Sequence, residues 1–462
     1  MPTATSTTPK QPVAARQSQQ NMLAYVLRHF WMAYEAAPLH IGYGGLNPEA
    51  TVQVEAEQTS FFEQAEPYPA EPLWREWAGC RLPFFFQPEL PTELITLEPG
   101  RATIHADVVA NAFYLLSGWQ EYYSPERDHH GRFPYRASVQ QRYQFVTVPV
   151  VNYYFDLLRT AVEHVLGHAL PRRAWPQHAP FACWITHDVD NCRSGWKAEG
   201  KKALRAGQVG TFVSLLTRRL GGRDAWDNLD AVQREVAVHG QTSSFFMLGN
   251  PKPAPNGTPN ADYDVRHPRY QRCLQRLRSG GAEIGVHGSI GTSTSPEALQ
   301  REISQLPPPI RGNRFHYLSW EPQSTPAVLD AAGVQFDTTL GFAEHFGFRH
   351  SYCLPFWPYN FATGGCHRFL EIPLNLMDAT LHHPNYLQLG PEEILPTVRP
   401  MLAEIERFGG VFTLLWHNEN FSRRNHRNGP KQFHALVRYL RGRHAAFVVG
   451  SDVLARFAPT PA

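Results

Sequence analysis

Hydrophobic positions along the chain keep two different rhythms. In the first third, apolar residues at helical spacing mark Asp107 to Tyr122 (DVVANAFYLLSGWQEY), with Asp107 near the start. Further helices are predicted over Asn21 to Tyr34 and Val151 to Leu166, while Thr51 to Glu57 alternates like a half-buried strand. This mixture predicts an α+β domain. From Phe181 onward, short apolar runs alternate with longer stretches. Phe181 to Thr186, Ser243 to Leu248, Ala282 to His287, Val334 to Thr338, Val411 to Trp416 and Ala445 to Val449 read as strands. Leu229 to His239, His267 to Arg278, Pro296 to Gln305, Ala327 to Ala332, Glu392 to Phe408 and Gln432 to Arg443 read as helices, the third capped by Ser295 with Pro296 in its first turn. Alternation of this kind predicts a parallel sheet, open or closed into a barrel. The polar opening, residues 1–20, is expected to be disordered, and PRRAWPQHAP, residues 171–180, reads as a linker. The expected organisation is therefore a tail over 1–20, an α+β domain over 21–170, a linker over 171–180 and an α/β domain over 181–457.

Charge narrows the function classes. Lys and Arg number 43 against 41 Asp and Glu, a net +2, which is too balanced for a dedicated nucleic-acid binder. The 22 histidines direct attention to metal ligation and proton transfer. The six cysteines form no C-x-x-C pair, so reduced thiols are expected. No signal-peptide core and no apolar run long enough for a membrane span is present, so a cytoplasmic location without a membrane span is the expectation. The glycines of GYGGLN lack phosphate-loop spacing and read as a turn.

In parallel α/β folds, chemistry gathers at the carboxyl ends of the strands. Here FACWIT ends in His187-Asp188-Val189-Asp190, AEIGV in His287, VQF in Asp337 and VFTLLW in His417. Any one of these is an ordinary cap or turn residue. Together they are the residue types of a hydrolytic metal site.

These segments resemble, in order, the motifs of polysaccharide deacetylases. ITHDVD is similar to the family's first motif and SSFFMLG to its second strand. EIGVHGS is similar to the metal-histidine motif, GNRFHY to the arginine motif, and FDTTLGF and LLWHN to the last two. The region before them resembles an uncharacterised domain found ahead of deacetylases of the THDVD type. The resemblance implies a distorted (β/α) barrel of seven or eight strands preceded by a smaller α+β domain. It implies a divalent metal, usually zinc, held by one Asp and two His, and removal of an N- or O-acetyl group from a carbohydrate, which we expect to serve cell-surface polysaccharide metabolism. Carried over by position, Asp188 is the base, Arg314 its partner, His417 the acid and Asp337 the residue that orients it. Asp190 and His287 are metal ligands.

This chain departs from the motifs in three places. Val189 separates the acidic residues, Gly291 stands where a second metal histidine is usual, and Arg314 is followed by Phe315-His316-Tyr317. The third ligand is then His316 or His187. His316 is favoured, because neighbours on a strand face opposite ways. Arg349 and Trp357, in a loop expected over the pocket, and Tyr317 are assigned to substrate binding. Asp378 is read as a cap or pocket residue, and the doublets His129-His130 and His382-His383 as surface or hydrogen-bonded histidines. The alternatives are a non-catalytic carbohydrate-binding or scaffolding protein on the same fold and a hydrolase of a non-sugar C–N bond.

Overall fold

The structure is a computed structural model that describes residues 18–458 apart from 58, 223, 423–424 and 426–428. Most of the tail expected over residues 1–20 therefore lies outside the described residues. The strand Ala182–Val189 is buried along its whole length and forms the middle of an all-parallel sheet. Eight strands follow one continuous order, here from edge to edge: Leu370–Glu371, Phe336–Asp337, Gly312–Phe315, Glu283–Gly288, Ser244–Leu248, Ala182–Val189, Val411–Leu415 and Leu376–Met377. Ala446–Val448 pairs with the first half of Ala182–Val189, and Ser244–Leu248 begins pairing where it leaves off, at Thr186. The two edge strands are joined by residues 372–375. Asn375 crosses the seam, its side-chain oxygen accepting the Thr413 N–H at 2.9 Å. The result is a distorted α/β barrel, as the strand and helix alternation implies.

Helices pack outside the sheet. Pro296–Ile303 starts as expected, with Ser295 accepting the Ala298 N–H and proline in the first turn. The sequence reading assigns no element to residues 195–220, yet two helices stand there, Gly195–Arg205 and Val209–Leu220. Gly195, Gly200, Gly207 and Gly210 weaken the local helix signal, and packing of one helix on the other supplies what propensity lacks.

The first region is α+β. Strands Ile41–Tyr43, Val52–Val54, Arg101–Ile104 and Ile95–Glu98 form one sheet in that order, with helix Val150–Leu166 packed on it. The helix expected over Asp107 to Tyr122 is broken by Gly118 (φ 73°) into Val108–Leu116 and Trp119–Tyr123.

Buried side chains of the first region and the barrel belong to one continuous hydrophobic cluster. The segment 171–180 is packed between them: Arg172 bridges Tyr34, and buried Trp175 donates from its indole to the Gly409 carbonyl at 2.8 Å. A barrel loop, residues 346–358, runs into the first region. Phe348 N–H donates to the Val146 carbonyl at 2.8 Å, and Gly347 (φ 135°) lies so close to that carbonyl that a Cβ would clash. Next to it Arg349 grips Glu121 through two bonds of 2.7 and 2.6 Å, both side chains buried. Burial works against the Glu121 charge, but the guanidinium holds its carboxyl below the usual range.

Removing one partner of this pair leaves the other charge stranded. Glu121→Ala is expected to cost about 3–5 kcal/mol. It should do so within a single cooperative transition, because the two regions share a core. Urea denaturation followed by both tryptophan fluorescence and circular dichroism checks this; two separated transitions would contradict it.

Candidate functional site

The site is built at the carboxyl end of Ala182–Val189. Residues on a strand alternate faces, so the valine between the acidic residues has a geometric consequence. Val189 points into the core and is fully buried, while Asp188 and Asp190 turn to the same side, toward His287. His187 turns the other way. Its Nδ1 donates to the Trp416 carbonyl at 2.7 Å, and its ring lies against Phe245 and Phe421. Burial lowers its pKa to about 4.

Arg314 is wholly buried inside the barrel. It donates to Asp188 Oδ1 and Thr186 Oγ1, both at 2.9 Å, and to the Thr338 carbonyl and hydroxyl at 2.9 and 3.2 Å. Its guanidinium carbon lies 4.8 Å from the centre of the Phe246 ring. Asp188 Oδ2 faces the pocket, 3.7 Å from His287 Nε2.

Three acceptor atoms converge beside it. His287 Nδ1 donates to the Arg314 carbonyl at 2.7 Å, and His316 Nε2 donates to the Pro259 carbonyl at 3.3 Å. A carbonyl can only accept, so in neutral imidazoles the opposite nitrogens carry lone pairs. Those nitrogens, His287 Nε2 and His316 Nδ1, lie 3.1 Å apart, and each is 3.3 Å from Asp190 Oδ1. Asp190 Oδ1 is buried without a well-formed hydrogen bond. Ligands about 2.0–2.1 Å from a tetrahedral zinc stand roughly 3.3–3.4 Å apart. One carboxylate oxygen and two imidazole nitrogens at these spacings fit such an ion. Burial opposes a charge on His287, but Asp188 and Asp190 raise its pKa. Burial likewise opposes a charge on Asp190, but His316, His287 and His417 hold its carboxyl well below the usual range.

His417 completes the group. Its Nε2 is 3.8 Å from Asp190 Oδ2, and its Nδ1 donates to Asp378 Oδ1 at 2.7 Å. Asp378 Oδ2 accepts the His417 N–H and the Asn420 amide at 2.7 and 2.6 Å. Burial opposes the His417 cation, but the Asp378 ion pair and hydrogen bond outweigh it and raise the pKa well above its ordinary value.

Part of the chain matches a known family. Residues 18–166 match a family described as of unknown function, DUF7033. No curated protein matches the chain. Among solved structures, one described as a polysaccharide deacetylase from Mycobacterium smegmatis aligns at 15% identity over 62% of this chain and 92% of its own, with a TM-score of 0.40. PuuE allantoinase aligns at 15% identity over 62% of this chain and 93% of its own, with a TM-score of 0.40. A CE4 family pseudoenzyme from Bacillus anthracis aligns at 9% identity over 59% and 65%, with a TM-score of 0.30. The functional reading rests on the geometry of the site itself.

The structure brings together Asp188, Asp190, His287, Arg314, His316 and His417, with Tyr317 on the cleft wall. It does not bring in three other residues. Asp337, expected to orient His417, turns back on its own loop, accepting the Thr339 N–H at 2.9 Å and the Asn313 amide at 2.6 Å. Its strand lies five places from Val411–Leu415 in the sheet, whereas Met377 pairs directly with Leu415 and so places Asp378 beside His417. Arg349 is taken up by Glu121. Trp357 is buried with its backbone N–H donating to His29 Nε2 at 3.0 Å and its ring beside Arg28. Both are therefore interface residues between the barrel and the first region, not residues of the cleft.

The cleft, about 310 Å³, is also lined by His129, His130, Arg132, His383, Asn385 and Tyr386. Of the histidine doublets, expected to be surface or hydrogen-bonded, only the folded chain brings His129, His130 and His383 to this rim, while His382 Nδ1 donates to the Asp378 carbonyl at 2.9 Å. Tyr317 and Leu318 hold left-handed backbone (φ 57° and 54°), a strained state for side-chain-bearing residues. The first region braces this turn: Arg132 donates to the Tyr317 carbonyl at 2.8 Å, and His130 stacks on the Tyr317 ring at 4.5 Å.

Asp378 and Asp337 can be told apart by experiment. Asp378→Asn is expected to lower the pKa of His417, because it removes the ion pair that keeps the ring protonated. Asp337→Asn should leave it in place. An NMR titration of the His417 imidazole in both variants measures the difference; an equal effect from Asp337→Asn would overturn the pairing.

Proposed function

We propose that the chain is a metal-dependent hydrolase that removes an N- or O-acetyl group from a carbohydrate, with zinc as the ion and cell-surface polysaccharide metabolism as the setting. The observation that carries the reading is the convergence of Asp190 Oδ1, His287 Nε2 and His316 Nδ1 on one point, flanked by an Arg-held carboxylate and an Asp-held imidazole. The three converging residues would hold the ion. When bound, it would supply Lewis acidity to the acyl carbonyl and to the attacking water.

The remaining chemistry belongs to the protein's own groups. Asp188 keeps Oδ1 on Arg314, which fixes the carboxylate and leaves Oδ2 to take the proton of the attacking water. His417 has Nδ1 anchored on Asp378 and Nε2 turned toward Asp190. In its cationic form it can give a proton to the leaving nitrogen or oxygen of the sugar. The cleft lies at the small end of the ~300–1,000 Å³ usual for small-ligand sites. Tyr317, Tyr386 and Asn385 offer ring faces and an amide to a sugar. A binding protein would need neither of the two oriented proton-transfer groups, so turnover is the reading the geometry favours over a non-catalytic descendant.

Two substitutions separate the roles. Asp188→Asn is expected to retain metal and lose about 10²–10⁴ in rate, the usual worth of general-base help. Asp190→Asn should lose metal affinity first and regain part of its activity in excess metal. Metal titration followed by acetate release from acetylated oligosaccharides and nucleotide sugars provides both readouts. Metal loss in Asp188→Asn alone would exchange the roles. Undiminished metal binding and rate in both variants would remove the enzyme reading.

Metal dependence has its own test. Dialysis against a chelator should abolish acetate release and lower the melting temperature, because a ligand bound only by the folded state stabilises it. His316→Ala should show the same lowered stability without chelator. A melting temperature indifferent to both treatments would contradict the three-residue site.

A further inference from the structure

The two helices Gly195–Arg205 and Val209–Leu220 form a hairpin that leaves the barrel at the carboxyl end of its central strand. Their inner faces pack on each other, with Gly200 against the Phe212 ring and Ala203 and Leu215 buried. Their outer side is unusual in two independent ways.

The first is apolar. Of the seven large hydrophobic side chains exposed among the described residues, four belong to this hairpin: Leu204 (49%), Val209 (61%), Val213 (50%) and Leu220 (79%). With the half-buried Leu216, three of them fall at i, i+4, i+7 and i+11 of one helix, which draws a single stripe along its length. The second is charge. Residues 195–220 hold Lys197, Lys201, Lys202, Arg205, Arg218 and Arg219 against Glu199 alone, although the whole chain is only +2. Lys201, Lys202, Arg205 and Arg218 are exposed and make no ion pair with a carboxylate among the described residues. The chain outside the hairpin is therefore net acidic, and the basic charge is concentrated on the hairpin: exposed Lys197 and Lys201 share one side of their helix with exposed Leu204, whereas Arg218, nine residues from Val209, stands on the side of its helix away from the stripe.

We propose that this hairpin docks the protein on an anionic phospholipid surface. An apolar stripe bordered by lysine and arginine is what an interfacial helix needs: the stripe enters the boundary of headgroups and acyl chains, and the cations pair with lipid phosphates. A nucleic acid would use the charges but gives no reason for the stripe. A second copy of this chain would cover the stripe, but it would bring an equal excess of positive charge to the contact. The hairpin leaves the barrel at the same end as the cleft. A groove of about 560 Å³ between it and Glu419, Asn420, Ser422 and Asn425 is lined by Asn420, whose amide also holds Asp378. Docking through the hairpin therefore holds the cleft close to the lipid surface. The proposal does not depend on the activity argued above, because docking is measured without substrate.

The test is sedimentation of the full chain with vesicles of phosphatidylcholine, alone or mixed with phosphatidylglycerol. Binding is expected to the mixed vesicles only and to weaken as salt is added. Reversing Lys197, Lys201 and Arg205 together to glutamate should weaken it at least about 100-fold, since each basic residue near such a surface is worth roughly fivefold. The set Val209→Ser, Val213→Ser and Leu220→Ser keeps every charge and should also abolish binding, with the circular dichroism melt unchanged in both sets. Absence of binding to the mixed vesicles overturns the proposal, and so does equal binding to both vesicle types. It is also overturned if the charge-reversed set fails to bind single-stranded RNA that the parent chain binds, with no vesicle binding by the parent. A dimer that the serine set dissociates, again without vesicle binding, would assign the stripe to a second copy instead.

Discussion

A guanidinium with no access to water must find a counter-charge and acceptors for its N–H groups inside the protein, and everything at the candidate site is arranged around the way Arg314 does so. Its four hydrogen bonds reach Thr186, Asp188 and Thr338, which ties the central strand to the turn after Asp337. Its own carbonyl accepts from His287 Nδ1. A single residue thus fixes one carboxylate and sets which nitrogen of the neighbouring histidine faces the pocket. Replacing such a residue would leave Asp188 buried and unpaired, a penalty of about 3–5 kcal/mol. Stability and site geometry are therefore not separable here.

The first region takes part in the same arrangement. Arg132 and His130 brace the left-handed turn at Tyr317, which directly follows His316. Backbone strain of about 1–3 kcal/mol per residue persists only where neighbours over-determine it. The bracing comes from residues nearly two hundred positions away in sequence. Within the same interface, the Glu121–Arg349 pair and the shared apolar core hold the two regions together. The geometry of the barrel cleft therefore depends on a region whose sequence shows no catalytic motif.

Much of the framework was legible beforehand because its signals are local. Apolar runs at Phe181, Ser243, Ala282 and Val411 lie within strands or directly begin them, and Ser295 caps its helix as expected. The hairpin over 195–220 was not legible, since glycine-rich basic segments give little periodic signal. The valine within HDVD looked like a departure from the motif. In the structure it keeps both carboxylates on one face. Asp378 is legible as a cap or pocket residue, because it follows Met377 at the end of a short strand, but its partnership with His417 is not.

The sequence by itself determined the inventory: which acidic and histidine side chains stand at strand ends, and that His187 and Asp188, neighbours on one strand, face opposite ways. It could do so because strand periodicity is a property of consecutive residues. Tertiary structure alone decided the partnerships. It chose Asp378 over Asp337 for His417, because the order of strands in the sheet sets which ends are neighbours, and that order is not sequential. It withdrew Arg349 and Trp357 from the cleft, because a buried carboxylate and a buried imidazole of the first region were nearer than any substrate could be. It brought His129, His130 and His383 to the rim by the same long-range packing. Such contacts join residues far apart in the chain, and no local pattern of side chains encodes them.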